Sequence, residues 1–188
     1  MFNLVARGQA VANQALTASL VASAIIALVS IVQLYLGGAW SIDTTAISNI
    51  NASASLKNSR MYGSSGKPKE NSKISFDLDA DLSSLFNWNT KQVFVYLTAE
   101  YPGKTDDSSN KVTYWDKIIT NAKDAKIAVR NAKSKYSVWD VEKSFRGRNA
   151  TLRLEWNVQP WVGPLLFGLT ETETTFQFAE KEPKNKRT

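Results

Sequence analysis

Two residue types with distinctive chemistry are missing from this chain of 188 residues, which contains no cysteine and no histidine. Without cysteine the fold must hold without disulfides, and zinc sites built from Cys and His are excluded. Without histidine the chain lacks the commonest general base and metal ligand at neutral pH. Catalysis by Ser–His–Asp or Cys–His groups of this chain is therefore excluded. Serine and lysine are plentiful, but no pattern indicates a catalytic Ser/Lys pair, so we expect no catalysis and no cofactor.

Charge is also absent from one long stretch, residues 8–42. Within it, residues 15–36 are mostly Ala, Val, Leu and Ile, and about 22 helical residues span about 33 Å, enough to cross a hydrocarbon core of about 30 Å. We therefore predict a short cytosolic N-terminus over residues 1–13 and a transmembrane signal-anchor helix over residues 14–36. The alternative is a signal peptide cleaved near residues 37–39, although its apolar region is usually only about 7–15 residues long.

The predicted anchor is only mildly hydrophobic, because Thr17, Ser30 and Gln33 lie inside it. A helix of this kind gains less from lipid alone and is expected to pack on neighbouring helices. Small residues spaced by four line one side of the helix and would let another helix approach closely. These residues are Ala15, Ser19, Ser23 and Ala27. The alternative is that an Ala/Ser-rich segment forms such a stripe by chance.

Positive charges near the anchor set its predicted orientation. Arg7 and the α-amino group lie on the N-terminal side, whereas the first positive residue on the other side is Lys57. The positive-inside rule weakly favours a cytosolic N-terminus, with the C-terminal domain translocated. The net charge is +6, but Lys and Arg alternate with Asp and Glu along that domain, so we expect no nucleic-acid partner.

The rest of the chain has the period of two that is typical of half-buried strands. Leu152, Leu154 and Trp156 alternate with polar residues, and residues 93–97 are apolar on both faces, which suits a central strand covered on both sides. Further strand signals cover residues 42–59, 74–78, 111–119, 126–129, 136–141 and 176–178, and turn signals cover residues 63–68, 102–110 and 147–149. We predict a mainly β, antiparallel, sandwich-like luminal domain over residues 37–180, a short helical turn over residues 83–88, and a charged flexible tail over residues 181–188.

Three aspartates, Asp77, Asp79 and Asp81, resemble the opening of a calcium loop. An EF-hand loop needs Gly at its sixth position and Glu at its twelfth, and those positions hold Leu82 and Trp88. The aspartates are therefore interpreted as a strand end followed by a turn, and no metal site is expected.

Two Asn-x-Ser/Thr sequons begin at Asn51 and Asn149. A sequon is glycosylated only when it is translocated and exposed. Asn149 follows a Gly/Arg-rich turn, which favours exposure, whereas Asn51 lies close in sequence to the anchor, where the glycosylation machinery has less access. We predict glycosylation at Asn149 and treat Asn51 as a second, weaker candidate.

Residues 159–168 are apolar and interrupted by Pro and Gly. Two interpretations stay open for this segment. It is either a hairpin whose tip packs into the core, or a surface that presents Trp161 and Phe167 to a partner or to the membrane interface.

Several runs of this sequence closely resemble one protein family. They are ISFDLDADL at residues 74–82, LFNWNTKQVFVYLTAEY at 85–101, WDKII at 115–119, KY at 135–136, NATL at 149–152 and WNVQP at 156–160. In this order they are similar to subunit 3 of the eukaryotic signal peptidase complex, and most similar to its fungal members. The likeness extends from the N-terminal anchor almost to the tail.

The resemblance implies a non-catalytic, single-pass subunit in the endoplasmic-reticulum membrane, with a cytosolic N-terminus and a luminal domain. The implied partners are the catalytic serine-peptidase subunit and the other subunits of the complex. The family's glycosylated asparagine corresponds to Asn149. The alternative from another class is a membrane-anchored β-sandwich adhesion or receptor module, because a fold does not determine a function.

Overall fold

The computed structural model describes residues 3–58, 68–103, 108–139 and 145–180. One long helix is followed by strands and two short 3-10 helices. The helix is α1 (Leu4–Leu36), and the 3-10 helices are Ser83–Leu85 and Ala122–Asp124. The strands are β1 (Ala46–Asn58), β2 (Pro68–Asp81), β3 (Thr90–Pro102), β4 (Ser109–Ile119), β5 (Lys126–Lys133), β6 (Val138–Trp139), β7 (Asn149–Pro160), β8 (Leu166–Gln177) and β9 (Ala179–Glu180).

The helix α1 begins at Leu4, so it also includes residues 4–13, which precede the predicted anchor. The side chain of Asn3 caps it by accepting a hydrogen bond from the Val5 N–H at 3.3 Å. It ends at Leu36 and is capped by Gly37, whose N–H donates to the Gln33 carbonyl at 2.9 Å. Along its length only Ser30 and Leu34 are buried. The helix is long and apolar enough to cross a membrane, and most of its surface is left uncovered by the rest of the described chain.

The strands form two sheets that face each other. One has the order β5-β2-β1-β9, with β6 also paired to β2, and the other has the order β4-β3-β7-β8. The pairings are antiparallel except for the short parallel pair of β1 with β9. The sheets meet along one side, where the Thr172 hydroxyl donates to the Thr45 carbonyl at 2.6 Å. The predicted mainly β, antiparallel, sandwich-like fold behind one N-terminal helix is confirmed.

The alternation predicted for β7 is also observed. Leu152, Leu154 and Trp156 are completely buried between the sheets. The two sheets also touch through Phe76 and Trp115, whose ring centroids are 6.1 Å apart. The hydrophobic side chains of both inner faces therefore form one continuous core.

The prediction for β3 was only partly right. The strand is central, since it lies between β4 and β7, and its inward residues are buried. Its outer face was predicted to be covered, but Phe94 and Tyr96 are only half-buried there and stack on each other with ring centroids 5.4 Å apart. In the described part of the chain no second layer packs on that face, because the single helix lies at one end of the domain.

Other predicted segments differ from the structure in extent. The segments predicted at residues 42–59 and 126–129 correspond to β1 and β5, which have different ends. The segment at 136–141 contains only the short β6, and residues 140–141 lie outside the described residues. The helical turn predicted at 83–88 is the 3-10 helix Ser83–Leu85. The predicted tail at 181–188, residues 1–2, most of the 63–68 turn and the middle of the 102–110 turn also lie outside the described residues.

The three aspartates of β2 each have partners within the chain, and Asp79 pairs with Arg130 at 2.8 Å and Asp81 with Lys126 at 3.4 Å. Asp77 accepts hydrogen bonds from the Asn131 N–H and the Asn49 amide, both at 2.6 Å. These contacts, led by the backbone N–H, lower the pKa of Asp77. Asn49 and Asn131 have φ angles of 50° and 47° and lie at irregularities in the strands on either side of β2. Asp77 therefore stabilises two bulges in the sheet.

Candidate functional site: the junction between the helix and the β domain

The last turns of α1 are attached to the β domain by side-chain hydrogen bonds. The Asn87 amide donates to the Ser30 carbonyl at 3.1 Å and to the Ser30 hydroxyl at 3.0 Å. Ser30 is only 3% exposed although it belongs to a helix most of whose residues are exposed. A third bond runs from the Trp88 indole N–H to the Gln33 side-chain oxygen at 2.6 Å. The polar residues near the end of α1 are therefore satisfied by the chain's own β domain.

The segment that carries Asn87 is a compact turn between the first 3-10 helix and β3. The Asn87 side-chain oxygen accepts from the Asn89 N–H at 2.9 Å, so its amide group is free to point toward the helix. The Thr90 hydroxyl donates to the Leu85 carbonyl at 3.0 Å and closes the turn. Before the first 3-10 helix, at the end of β2, Asp81 accepts hydrogen bonds from the Ser83 hydroxyl and N–H, and these bonds lower the pKa of Asp81.

The chain that leaves α1 enters the core directly. Ala39 and Ile42 are buried, and Gly38 makes the turn with a φ of 74°. The indole N–H of Trp40 donates to the Phe167 carbonyl at 3.1 Å. Its ring meets the edge of Trp156 at a centroid distance of 5.6 Å. The helix and the domain core are thus connected by a short, well-packed segment instead of a loose linker.

The loop between β7 and β8 makes the third contact with the helix. Asn89 holds the loop, because its carbonyl accepts from the Trp161 N–H at 2.7 Å and its side chain bonds the Val162 N–H and carbonyl at 3.1 and 2.8 Å. Gly163 then approaches α1 so closely that a Cβ at this position would lie 3.0 Å from the Cβ of Ala27. Its φ of 124° also favours glycine.

The predicted helix-packing residues lie on this helix in different surroundings. Ala15, Ser19 and Ser23 are exposed, and the two serine hydroxyls donate to the carbonyls of Ala15 and Ser19 at 2.8 Å. Ala27 is half-buried beneath the β7–β8 loop. The chain's own β7–β8 loop therefore covers Ala27, and the other three residues of the stripe remain exposed.

The other predicted residues are all exposed. Trp161 and Phe167 have 67% and 62% of their surface exposed, so neither belongs to the core. Asn149 is exposed at the first residue of β7, the end of that strand farthest from the β7–β8 loop and the helix. Asn51 is exposed within β1, paired with Ser75.

Sequence reasoning did not identify Asn87 and Asn89 as junction residues. The available signal was on the helix side, where Ser30 and Gln33 interrupt an apolar segment. Their partners could not be inferred, because a hydrogen bond between residues 57 positions apart depends on how the strands pair. In the described part of the chain, no group of three or more acidic side chains could hold a metal ion. The arrangement positions a domain against a helix and contains no assembled reactive group.

Comparison with known proteins gives one consistent result. A family model described as signal peptidase subunit matches residues 1–181. The chain is 61% identical over 187 residues to signal peptidase complex subunit 3 of Debaryomyces hansenii, which covers 99% of this chain and 98% of the relative. The subunit 3 proteins of Saccharomyces cerevisiae and Yarrowia lipolytica are 47% and 46% identical over 183 residues, with 96% of this chain and 98% and 99% of the relatives covered. Nothing in these comparisons favours an adhesion or receptor module. The chain belongs to the signal peptidase subunit family, as its resemblance to the fungal members indicated.

Proposed function

We propose that this chain is a non-catalytic subunit of a signal peptidase complex in the endoplasmic-reticulum membrane. The observation that carries the proposal is the 61% identity to a signal peptidase complex subunit 3 over nearly the whole chain. The chemistry agrees, because a chain without histidine and cysteine has no Ser–His or Cys–His pair of its own. The catalytic serine-peptidase subunit supplies the reactive groups, and this chain supports it.

The junction suggests how a subunit without reactive groups promotes peptide cleavage. Ser30 and Gln33 are bonded to the β domain, and Ala27 is packed against it, so the domain follows the anchor. The catalytic subunit bound to that domain is then held at a constant height above the bilayer. Because a misplacement of about 1 Å can cost about 100-fold in rate, such positioning is sufficient to affect cleavage strongly.

The proposed topology has residues 1–13 in the cytosol, the transmembrane anchor over residues 14–36 and the β domain over residues 37–180 in the lumen. Arg7 supports this orientation through the positive-inside rule. Asn149 is the proposed glycosylation site, since it is exposed and far from the helix, and Asn51 is the second candidate. The stripe of Ala15, Ser19 and Ser23 is proposed to receive a helix of another subunit, with Ala27 covered by this chain's own loop.

The proposal is tested by purifying the complex in mild detergent with and without this chain and measuring cleavage of a secretory preprotein. We expect co-purification with the catalytic subunit, loss of cleavage without this chain, and unchanged cleavage when each domain serine is replaced singly by alanine. One serine whose replacement abolishes cleavage in a folded, fully assembled complex would overturn the non-catalytic role. Residence at the cell surface without any peptidase partner would instead favour an adhesion module.

A further inference from the structure

We infer that the β7–β8 loop, residues 161–165, inserts into the luminal leaflet of the bilayer beside the chain's own anchor. The inference goes beyond the proposed function but rests on its membrane anchoring. Its first basis is the position of the loop along the helix. Gly163 contacts Ala27, which lies nine residues before the end of α1 at Leu36, about 14 Å along the helix axis. The loop therefore extends past the C-terminal end of the helix and lies alongside its preceding turns.

The length of the apolar segment indicates that the contact between Gly163 and Ala27 lies inside the membrane. Residues 15–26, which precede the contact, span only about 18 Å, whereas the hydrocarbon core is about 30 Å thick. The hydrocarbon core of the bilayer must therefore also include helix residues that follow Ala27. Ending the core at Ala27 instead would bring Gln9, Asn13 and Gln14 into hydrocarbon, which is unfavourable for polar side chains. The segment over residues 15–36 leaves those three side chains outside, and its own amide, Gln33, is bonded to the Trp88 indole.

The surface of the loop suits lipid. No charged residue occurs between residues 156 and 170. Trp161 is 67% exposed and Leu165 is 51% exposed, and Pro164 between them is exposed as well. Phe167, 62% exposed, continues the same surface onto β8. Exposed apolar side chains that lie next to a membrane anchor gain free energy by entering the bilayer.

The backbone polar groups at the start of the loop are hydrogen-bonded inside the chain. Unpaired N–H and C=O groups are costly in hydrocarbon, so each backbone group that is bonded within the chain lowers the cost of insertion. Asn89, itself only 2% exposed, bonds the Trp161 N–H and both backbone groups of Val162. Pro164 has no N–H to satisfy. The Lys91 ammonium lies 5.2 Å from the centroid of the Trp161 ring and is therefore paired with the ring face. Tryptophan is enriched at the membrane–water interface.

Single cysteine variants of the full chain test this inference, because the natural chain has no cysteine to remove. Leu165→Cys, Leu20→Cys and Thr175→Cys are each labelled with a polarity-sensitive dye and reconstituted in phosphatidylcholine vesicles with and without doxyl-labelled lipid. Leu20 reports on the anchor, and Thr175 lies on β8 about 30 Å from the loop. We expect lipid quenching and blue-shifted emission at Leu165 as large as at Leu20, and neither at Thr175.

The other outcomes separate this inference from the proposed function. Quenching at Leu20 with aqueous emission at Leu165 overturns the loop insertion and leaves the anchored subunit intact. Emission at Leu165 that stays aqueous in vesicles but becomes shielded in the purified complex assigns the loop to another subunit, which also overturns it. Absence of quenching at both positions contradicts the anchor itself, and with it both the proposed membrane topology and the loop insertion. Unchanged thermal unfolding of each variant shows that the fold has survived labelling.

Discussion

At the scale of single residues, the packing of the largest buried side chain depends on a glycine in the neighbouring strand of the same sheet. Trp156 on β7 is paired with Gly168 on β8 and is completely buried. Its indole ring covers the glycine so closely that an added Cβ would lie 2.1 Å from the ring atom Cζ2. Trp156 also meets Trp40, which comes directly after the helix. One tryptophan therefore connects the core to the junction.

Gly168→Ala is expected to destabilise the chain by about 1–3 kcal/mol, because the new methyl group forces the Trp156 ring out of its position. Trp156→Ala removes the ring and should cost about 3–5 kcal/mol. When Gly168→Ala is combined with Trp156→Ala, it should destabilise the chain less than it does alone, because the ring that clashes with the new methyl group has been removed. Thermal unfolding of the full chain in detergent, followed by near-ultraviolet circular dichroism, measures all three.

The control for this series is Gly8→Ala, because a Cβ at Gly8 has nothing within 4 Å. It should leave the midpoint of domain unfolding unchanged. If Gly168→Ala also had no effect on that midpoint, the close packing of Trp156 on Gly168 would be contradicted.

At the scale of elements, the junction makes one rigid unit of the helix and the β domain. The bonds to Ser30 and Gln33 attach two successive turns of α1 to the segment that leads into β3. The β7–β8 loop contacts the preceding turn at Ala27. Because three separate contacts act on one face of the helix, its angle to the sheets is determined by packing and not by a linker.

Ser30→Ala combined with Gln33→Leu removes two side-chain partners of the domain and keeps the anchor apolar. At about 0.5–1.5 kcal/mol for each lost hydrogen bond, docking of the helix should weaken by about 1–3 kcal/mol. We expect a broader distance distribution between spin labels at Leu20→Cys and Thr175→Cys, measured by double electron–electron resonance. Cleavage by the assembled complex should fall in parallel.

The matched control replaces two other polar residues of the same helix, Thr17→Ala with Ser19→Ala. Their hydroxyls donate only to carbonyls of α1, so their removal leaves every contact with the domain in place. The control should keep the narrow distance distribution. An equally narrow distribution in the Ser30/Gln33 variant would show that these bonds do not determine the angle of the helix.

At the scale of the whole molecule, the two sequons mark different distances from the membrane. Asn149 begins β7, whose other end leads into the loop beside α1, and the strand of about 12 residues extends roughly 40 Å. Asn51 is on β1, the first strand after the helix. With the domain in the lumen, Asn149 is the more accessible of the two.

Treatment with an endoglycosidase should therefore increase the gel mobility of the chain from microsomes, and Asn149→Gln should abolish most of that shift. Asn51→Gln is the matched control, because it removes the other exposed sequon, and it should retain most of the shift. Complete digestion of the β domain by protease added to sealed microsomes would contradict its luminal location.

Much of the fold was predictable because its signals are local. The alternation of Leu152, Leu154 and Trp156 predicted an inward face, and all three are buried. The predicted outer cover of β3 was wrong, since apolar residues such as Phe94 are also tolerated on a half-exposed sheet face. The pairing of β1 with β9 was not predictable, because two-residue strands have no periodic pattern.

By itself, the sequence determined one apolar helix, a mainly β domain and the absence of histidine and cysteine chemistry. These are properties of composition and short-range period, which do not depend on how distant segments meet. Only the tertiary structure decided that Asn87 bonds Ser30, that Gly163 packs on Ala27 and that Gly168 receives the ring of Trp156. Each of these contacts joins residues far apart in the chain, so each exists only after strand pairing has brought its two segments together.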